Sequence, residues 1–147
     1  MIDRGHIGAQ SEPRSIDVEA GQLKFFAKAT GQTDPIYFDE VAARAAGHRA
    51  LPAPPTLSIS LAAGAPAQHG TLESMDVDMR RILHGEQSFT YHRMIYAGDR
   101  ITLVTTTTDI YDKKGGALEF IVQDTTVTNQ NGQLCATFRT VVVVRNG

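Results

Sequence analysis

Thr56-Leu57-Ser58-Ile59-Ser60-Leu61-Ala62-Ala63-Gly64-Ala65 decides how the rest of this chain folds. The stretch carries no charge, and its side chains are apolar or small on every side. That pattern predicts a short helix enclosed by other elements rather than one lying on a surface. Just before it, Leu51-Pro52-Ala53-Pro54-Pro55 is excluded from a helix interior, because each proline biases its predecessor towards extended backbone. Pro55 still suits a first helical turn, where the missing N–H costs nothing. Pro66 ends the helix, and Gln68 to Asp78 is the least regular part of the sequence.

Downstream, everything from Arg81 reads as strand. Gln87 to Ile95 alternates, with Phe89, Tyr91, Arg93 and Ile95 on one face. Ile101 to Ile110 is rich in β-branched residues, and Leu118 to Thr128 and Leu134 to Val144 follow. Gly98-Asp99, Lys113 to Gly116 and Asn129 to Gly132 mark the turns. Four antiparallel strands after an enclosed helix predict an α+β fold, a curled sheet wrapped around that helix. The last strand, with Val141 to Val144, is expected to be an unpaired edge open to a partner.

Upstream, Leu23, Phe26, Ala27 and Thr30 share one helical face. Gly31 stands where a left-handed residue stops that helix, and Asp34-Pro35 reads as a turn. A second helix runs from an Asp39 cap to Ala46, with Gly47 as its stop. Residues 1–15 show no periodicity and are expected to be an extended lead-in.

The 147 residues suit one domain spanning 1–147, without repeats or linkers. A net charge of −2 gives no electrostatic case for nucleic acid or an anionic membrane. No apolar run approaches the ~20 residues of a membrane span, and the N-terminus lacks the apolar core of a signal peptide. Cys135, the single cysteine, precludes a disulfide within the chain; it fits a reducing cytoplasm and reads as a small buried hydrophobe. His6, His48, His69, His84 and His92 have no metal-ligand spacing, so neither a metal nor another cofactor is expected.

Two segments, ATGQTDPIYFDEVAARAAGHRALPAPPT (29–56) and HGEQSFTYHRMIYAGDRI (84–101), resemble the N-terminal MaoC-type dehydratase domain. That domain also occurs as stand-alone hydroxyacyl-thioester dehydratase subunits. The resemblance covers about residues 7–145 and implies a single hotdog domain. It implies a function too: hydration of trans-2-enoyl thioesters to (R)-3-hydroxyacyl thioesters, or the reverse.

That chemistry needs a base at the α-carbon, fixed donors for the enolate oxygen and an acid for the departing hydroxyl. The competent family motif is G-D-x-N-P-[LIV]-H. Gly31, Pro35 and Ile36 match it, while Gln32 stands at the aspartate position, Asp34 at the asparagine and Tyr37 at the histidine. Gln32 does not exchange protons near pH 7, and an ordinary tyrosine pKa near ~10 makes Tyr37 a poor base. The resemblance therefore implies an acyl-binding subunit, working as a homodimer or beside a sister MaoC-like subunit that carries the intact pair. Its ligand would be an acyl-CoA or acyl carrier protein thioester.

The candidate catalytic residues are Asp34, Tyr37 and His84; the candidate binding residues are Gln32, Pro55, Thr56 and Gln87. Each has a plainer reading. Asp34 suits a side-chain turn before Pro35, Tyr37 an amphipathic wall, and His84 and Gln87 the polarity of a strand edge. The helix start at Pro55-Thr56-Leu57 offers N–H groups to a thioester oxygen, as helix starts generally do. His92 is expected on the sheet surface, opposite Phe89 and Tyr91. His48, Arg49, Arg80 and Arg81 are candidates to meet a phosphopantetheine carrier or to be simply solvated.

Two other functions compete. A hotdog thioesterase would place a carboxylate on or beside the central helix, and Thr56 to Gln68 has none. A non-catalytic acyl-binding or assembly subunit needs no acid–base pair at all.

Overall fold

The computed structural model describes residues 1–65 and 72–146. The expected helix stop at Pro66 and residues 68–71 of the irregular segment lie outside the described residues. The chain forms an antiparallel five-stranded sheet curled around one helix, the α+β hotdog arrangement. Its strands are β1 (Arg14–Asp17), β2 (Ile82–Tyr91), β3 (Arg100–Lys113), β4 (Leu118–Thr128) and β5 (Leu134–Arg145), in the order β1-β3-β4-β5-β2.

Two expectations about the sheet are corrected. The lead-in contains a strand, because Arg14 to Asp17 pair with Leu103 to Arg100. Four residues are too short for a period of two to show in the sequence. The chain before it also runs beside β3, with Gly8 N–H on Thr107 O and Ser11 N–H on Thr105 O. The strand with Val141 to Val144 is no edge, since β5 lies between β4 and β2. All four valines are buried, and apolar residues on both faces mark a central strand. The edge beyond β5 belongs to β2, whose ten residues are mostly exposed. Gly85 permits a bulge there: a Cβ would stand 2.8 Å from Val143 Cγ2 and 3.1 Å from Val141 O.

Among the described residues, three α-helices contribute to the core on the concave side. α1 (Ala20–Ala29) buries Leu23 and Ala27 and ends at Gly31, φ 75°. There Gln32 N–H reaches Ala27 O at 2.9 Å and Gly31 N–H reaches Lys28 O at 3.2 Å, the paired bonds of a Schellman stop. α2 (Glu40–Ala45) starts at Asp39, whose carboxylate accepts from the Val41 and Ala42 N–H groups. Those bonds hold the Asp39 carboxyl below its ordinary range. Gly47 and His48 repeat the Schellman stop.

α3 (Leu57–Gly64) is the uncharged helix. Leu57, Leu61 and Ala65 pack with Ile101, Leu103, Val127 and Ala136 in the main core cluster. The chain encloses only one side of it, however. Ala63 and Gly64 are exposed, and Ile59 and Ser60 are half-buried. A helix predicted to be enclosed all round has a side that the described residues leave exposed.

Candidate functional site

Tyr37 lies in the 3-10 turn Pro35–Tyr37, which follows the α1 stop. Asp34 starts that turn, and its Oδ1 accepts the Ile36 N–H at 3.1 Å. The aspartate is exposed and bonded to its own turn. Proline at the next position fixes φ and reinforces the same geometry.

Tyr37 forms part of the wall of a groove of about 370 Å³. Leu57, Ser58, Ile95 and Ala136 are its buried floor, and Tyr91, His92, Arg93 and Met94 are its exposed rim. Among the described residues, no carboxylate lines it. A groove this apolar suits an extended acyl chain, with the His92 imidazole at its rim.

Two extended segments position the groove. Leu51 to Ala53 runs antiparallel to Ile95 to Ala97, with Ala53 N–H on Ile95 O at 2.8 Å and Ala97 N–H on Leu51 O at 2.9 Å. Asp99, buried beneath them, accepts from Arg49, from Gln130 Nε2 and from the Tyr96 N–H. Burial pushes the Asp99 carboxyl up, but these donors outweigh it and hold it below the usual carboxylate range. Arg49 also lies over the Tyr96 ring at 4.4 Å, and His48 Nδ1 is 3.2 Å from the Tyr96 hydroxyl.

A bulge arranges the rim. The N–H groups of both His92 and Arg93 donate to Cys135 O, at 2.8 and 3.0 Å. Two residues opposite one break the strand's alternation, so Tyr91, His92, Arg93 and Met94 all border one groove. This corrects the placement of His92 on the face opposite Tyr91. No glycine or proline in Tyr91 to Met94 signals the bulge, and the sequence alternates through it. Cys135, on the other side of it, is fully buried; burial first, then the Asp99 charge, pushes its thiol up.

The helix start is engaged rather than open. Pro55 has no N–H, Thr56 N–H donates to the Tyr91 hydroxyl at 2.9 Å, and Leu57 N–H points to Pro54 O at 3.3 Å. The expectation of N–H groups open to a thioester oxygen at these positions is therefore corrected. Thr56 itself sits in the left-handed region, φ 69°, and the Tyr91 ring lies parallel to Phe89 at 6.1 Å.

The structure thus brings Tyr37 and Pro55 into one groove, with Thr56 attached through Tyr91. It leaves Gln32, Asp34, His84 and Gln87 outside the lining. His84 is exposed on β2, about 23 Å from Tyr91 at ~3.3 Å per residue. Gln87 Oε1 accepts from Thr140 Oγ1 on the neighbouring strand at 2.9 Å. The carrier candidates are also occupied: His48 by the Tyr96 hydroxyl, Arg49 by Asp99, Arg80 by Asp78, and Arg81 by the Arg145 carbonyl.

A family model described as the FAS1-like, dehydratase domain region matches residues 5–138. A relative from Streptomyces griseus named UPF0336 protein is 33% identical over 145 residues, covering 98% of this chain and 95% of its own. Among solved structures, the C-terminally truncated HadBC (3R-hydroxyacyl-ACP dehydratase) complex from Mycobacterium tuberculosis matches with TM-score 0.81 at 27% identity, covering 94% of this chain and 96% of that one. A MaoC-like dehydratase matches with TM-score 0.84 at 25% identity, covering 97% of this chain and 43% of that longer one.

Proposed function

This chain belongs to the FAS1-like dehydratase-region family and has the MaoC-like hotdog fold, and from that premise we propose that it is the acyl-thioester-binding subunit of a two-subunit hydro-lyase. The enzyme would interconvert trans-2-enoyl and (R)-3-hydroxyacyl thioesters of CoA or an acyl carrier protein. The observation that carries this reading is the groove: apolar, without a carboxylate, and with Tyr37 where the family motif has histidine.

The reaction needs an acid and a base, each contributing roughly 10²–10⁴-fold. Gln32 supplies neither, and Asp34 is bonded to its own turn. A partner bearing the intact pair completes the chemistry while this subunit holds the thioester. Two features support a partner. β2 offers a long exposed edge, and α3 has an uncovered side. Two of the similar structures support it as well: HadBC is a complex, and the longer MaoC-like chain has room for a second domain of this size.

Gln32→Asp/Tyr37→His tests the reading. The double variant should gain measurable hydration of crotonyl-CoA over the wild-type chain alone. No gain, in a variant that folds and still binds thioester, would mean that more than the acid–base pair is missing. The Asp34 turn favours one further reading, a purely non-catalytic acyl-binding subunit. That reading predicts thioester binding without turnover in the presence of any sister subunit.

A further inference from the structure

The chain has ten arginines. Six are in ion pairs with carboxylates, and Arg14 and Arg81 donate to backbone carbonyls. Among the described residues, only the side chains of Arg93 and Arg145 have no such partner. Arg93 stands with His92 on the rim of the groove, with no carboxylate among the described lining residues to neutralise it. The bulge at Cys135 O is what turns both side chains to that rim.

An uncompensated guanidinium above an apolar cleft suits a ligand with an apolar or amide body and an anionic end. Guanidinium matches phosphate oxygens in geometry as well as charge. The burial gradient gives the ligand a direction: its body reaches the Leu57, Ser58 and Ala136 floor, and its anion stays at the exposed rim.

We propose that Arg93, assisted by His92, binds the phosphate at the end of a phosphopantetheine arm, and that this arm lies in the groove. The inference rests on the thioester-binding reading and adds the orientation and the residue that recognises the carrier. It also moves carrier recognition away from Arg49 and Arg80, which are paired with carboxylates, and from Arg81, which donates to the Arg145 carbonyl. CoA and an acyl carrier protein both present a phosphate ester at the end of that arm, as a pyrophosphate in the first and a phosphodiester in the second.

Calorimetric titration of the full chain with octanoyl-pantetheine and octanoyl-4′-phosphopantetheine isolates that phosphate. The phosphorylated probe should bind about tenfold tighter to the wild type. Arg93→Ala should abolish the difference between the two probes, and Arg93→Lys, which keeps the charge without the guanidinium fork, should retain part of it. Parallel titrations with octanoyl-CoA and an octanoyl carrier protein should both weaken in Arg93→Ala, and the larger loss names the natural carrier. Equal affinity of the wild type for the two pantetheine probes overturns the inference and leaves the thioester-binding reading standing. An unchanged preference in Arg93→Ala also overturns it. If neither probe binds the wild type, the reading fails and takes the inference with it.

Discussion

Asp99 and Arg49, 50 residues apart in sequence, form the bond that ties the two walls of the groove together. Asp99 is 1% exposed, and its other donors, Gln130 Nε2 and the Tyr96 N–H, leave the carboxylate well satisfied. Arg49 leads into the segment that carries Ala53 and Pro55, and Tyr96 follows the segment that carries Arg93 to Ile95. One buried carboxylate therefore sets the spacing of a site that it does not touch.

Asp99→Asn should cost about 2 kcal/mol, the size of a lost charge-assisted hydrogen bond, lowering Tm by about 4–8 °C. The loss should depend on pH. A carboxyl held below its ordinary value stabilises the fold above the unfolded pKa of about 3.9 and stops doing so as pH falls through the folded one. Urea titrations should give the full gap between wild type and variant at pH 5–7, closing below about pH 4. A constant gap across that range would contradict the assignment.

Thr56 is β-branched and left-handed, φ 69°, a conformation that costs such a residue about 1–2 kcal/mol. Glycine removes the steric cost and adds some unfolded-state entropy, so Thr56→Gly should stabilise by about 0.5 kcal/mol. Thr56→Val, which keeps the branch, should not stabilise. Equilibrium unfolding of the two variants side by side decides this.

Leu83 is 48% exposed on β2, at the sheet edge opposite β1. Leu83→Glu places a charge on the proposed partner surface and should weaken association at least tenfold, read by sedimentation velocity. The fold, read by circular dichroism, should be unchanged. Association that is unaffected would move the interface away from β2.

What the sequence displayed was the periodic part of the fold. The charge-free run at Leu57 to Ala65, the β-branched strands and the glycine stops at Gly31 and Gly47 each follow from local chemistry that one chain shows by itself. The misread features depend on neighbours. β1 needs β3 to be a strand, and β5 is central only because β2 returns to its far side. His92 and Arg93 share a rim because both bond to one carbonyl on another strand. The Tyr37 position was legible from the motif, whereas the distance of His84 and Gln87 from the groove was not, since strand number alone does not say which end of β2 meets α3.

The central claim is that this subunit binds the thioester and a partner supplies the proton transfers. Its most direct test is the crotonyl-CoA hydration rate of the purified chain, alone and after co-expression with a MaoC-like subunit that has an intact G-D-x-N-P-[LIV]-H. The account predicts background turnover for the chain alone and a rise of about 10²-fold or more for the pair over either subunit. Full hydration by the chain alone would contradict it and would place a working acid–base pair within this sequence.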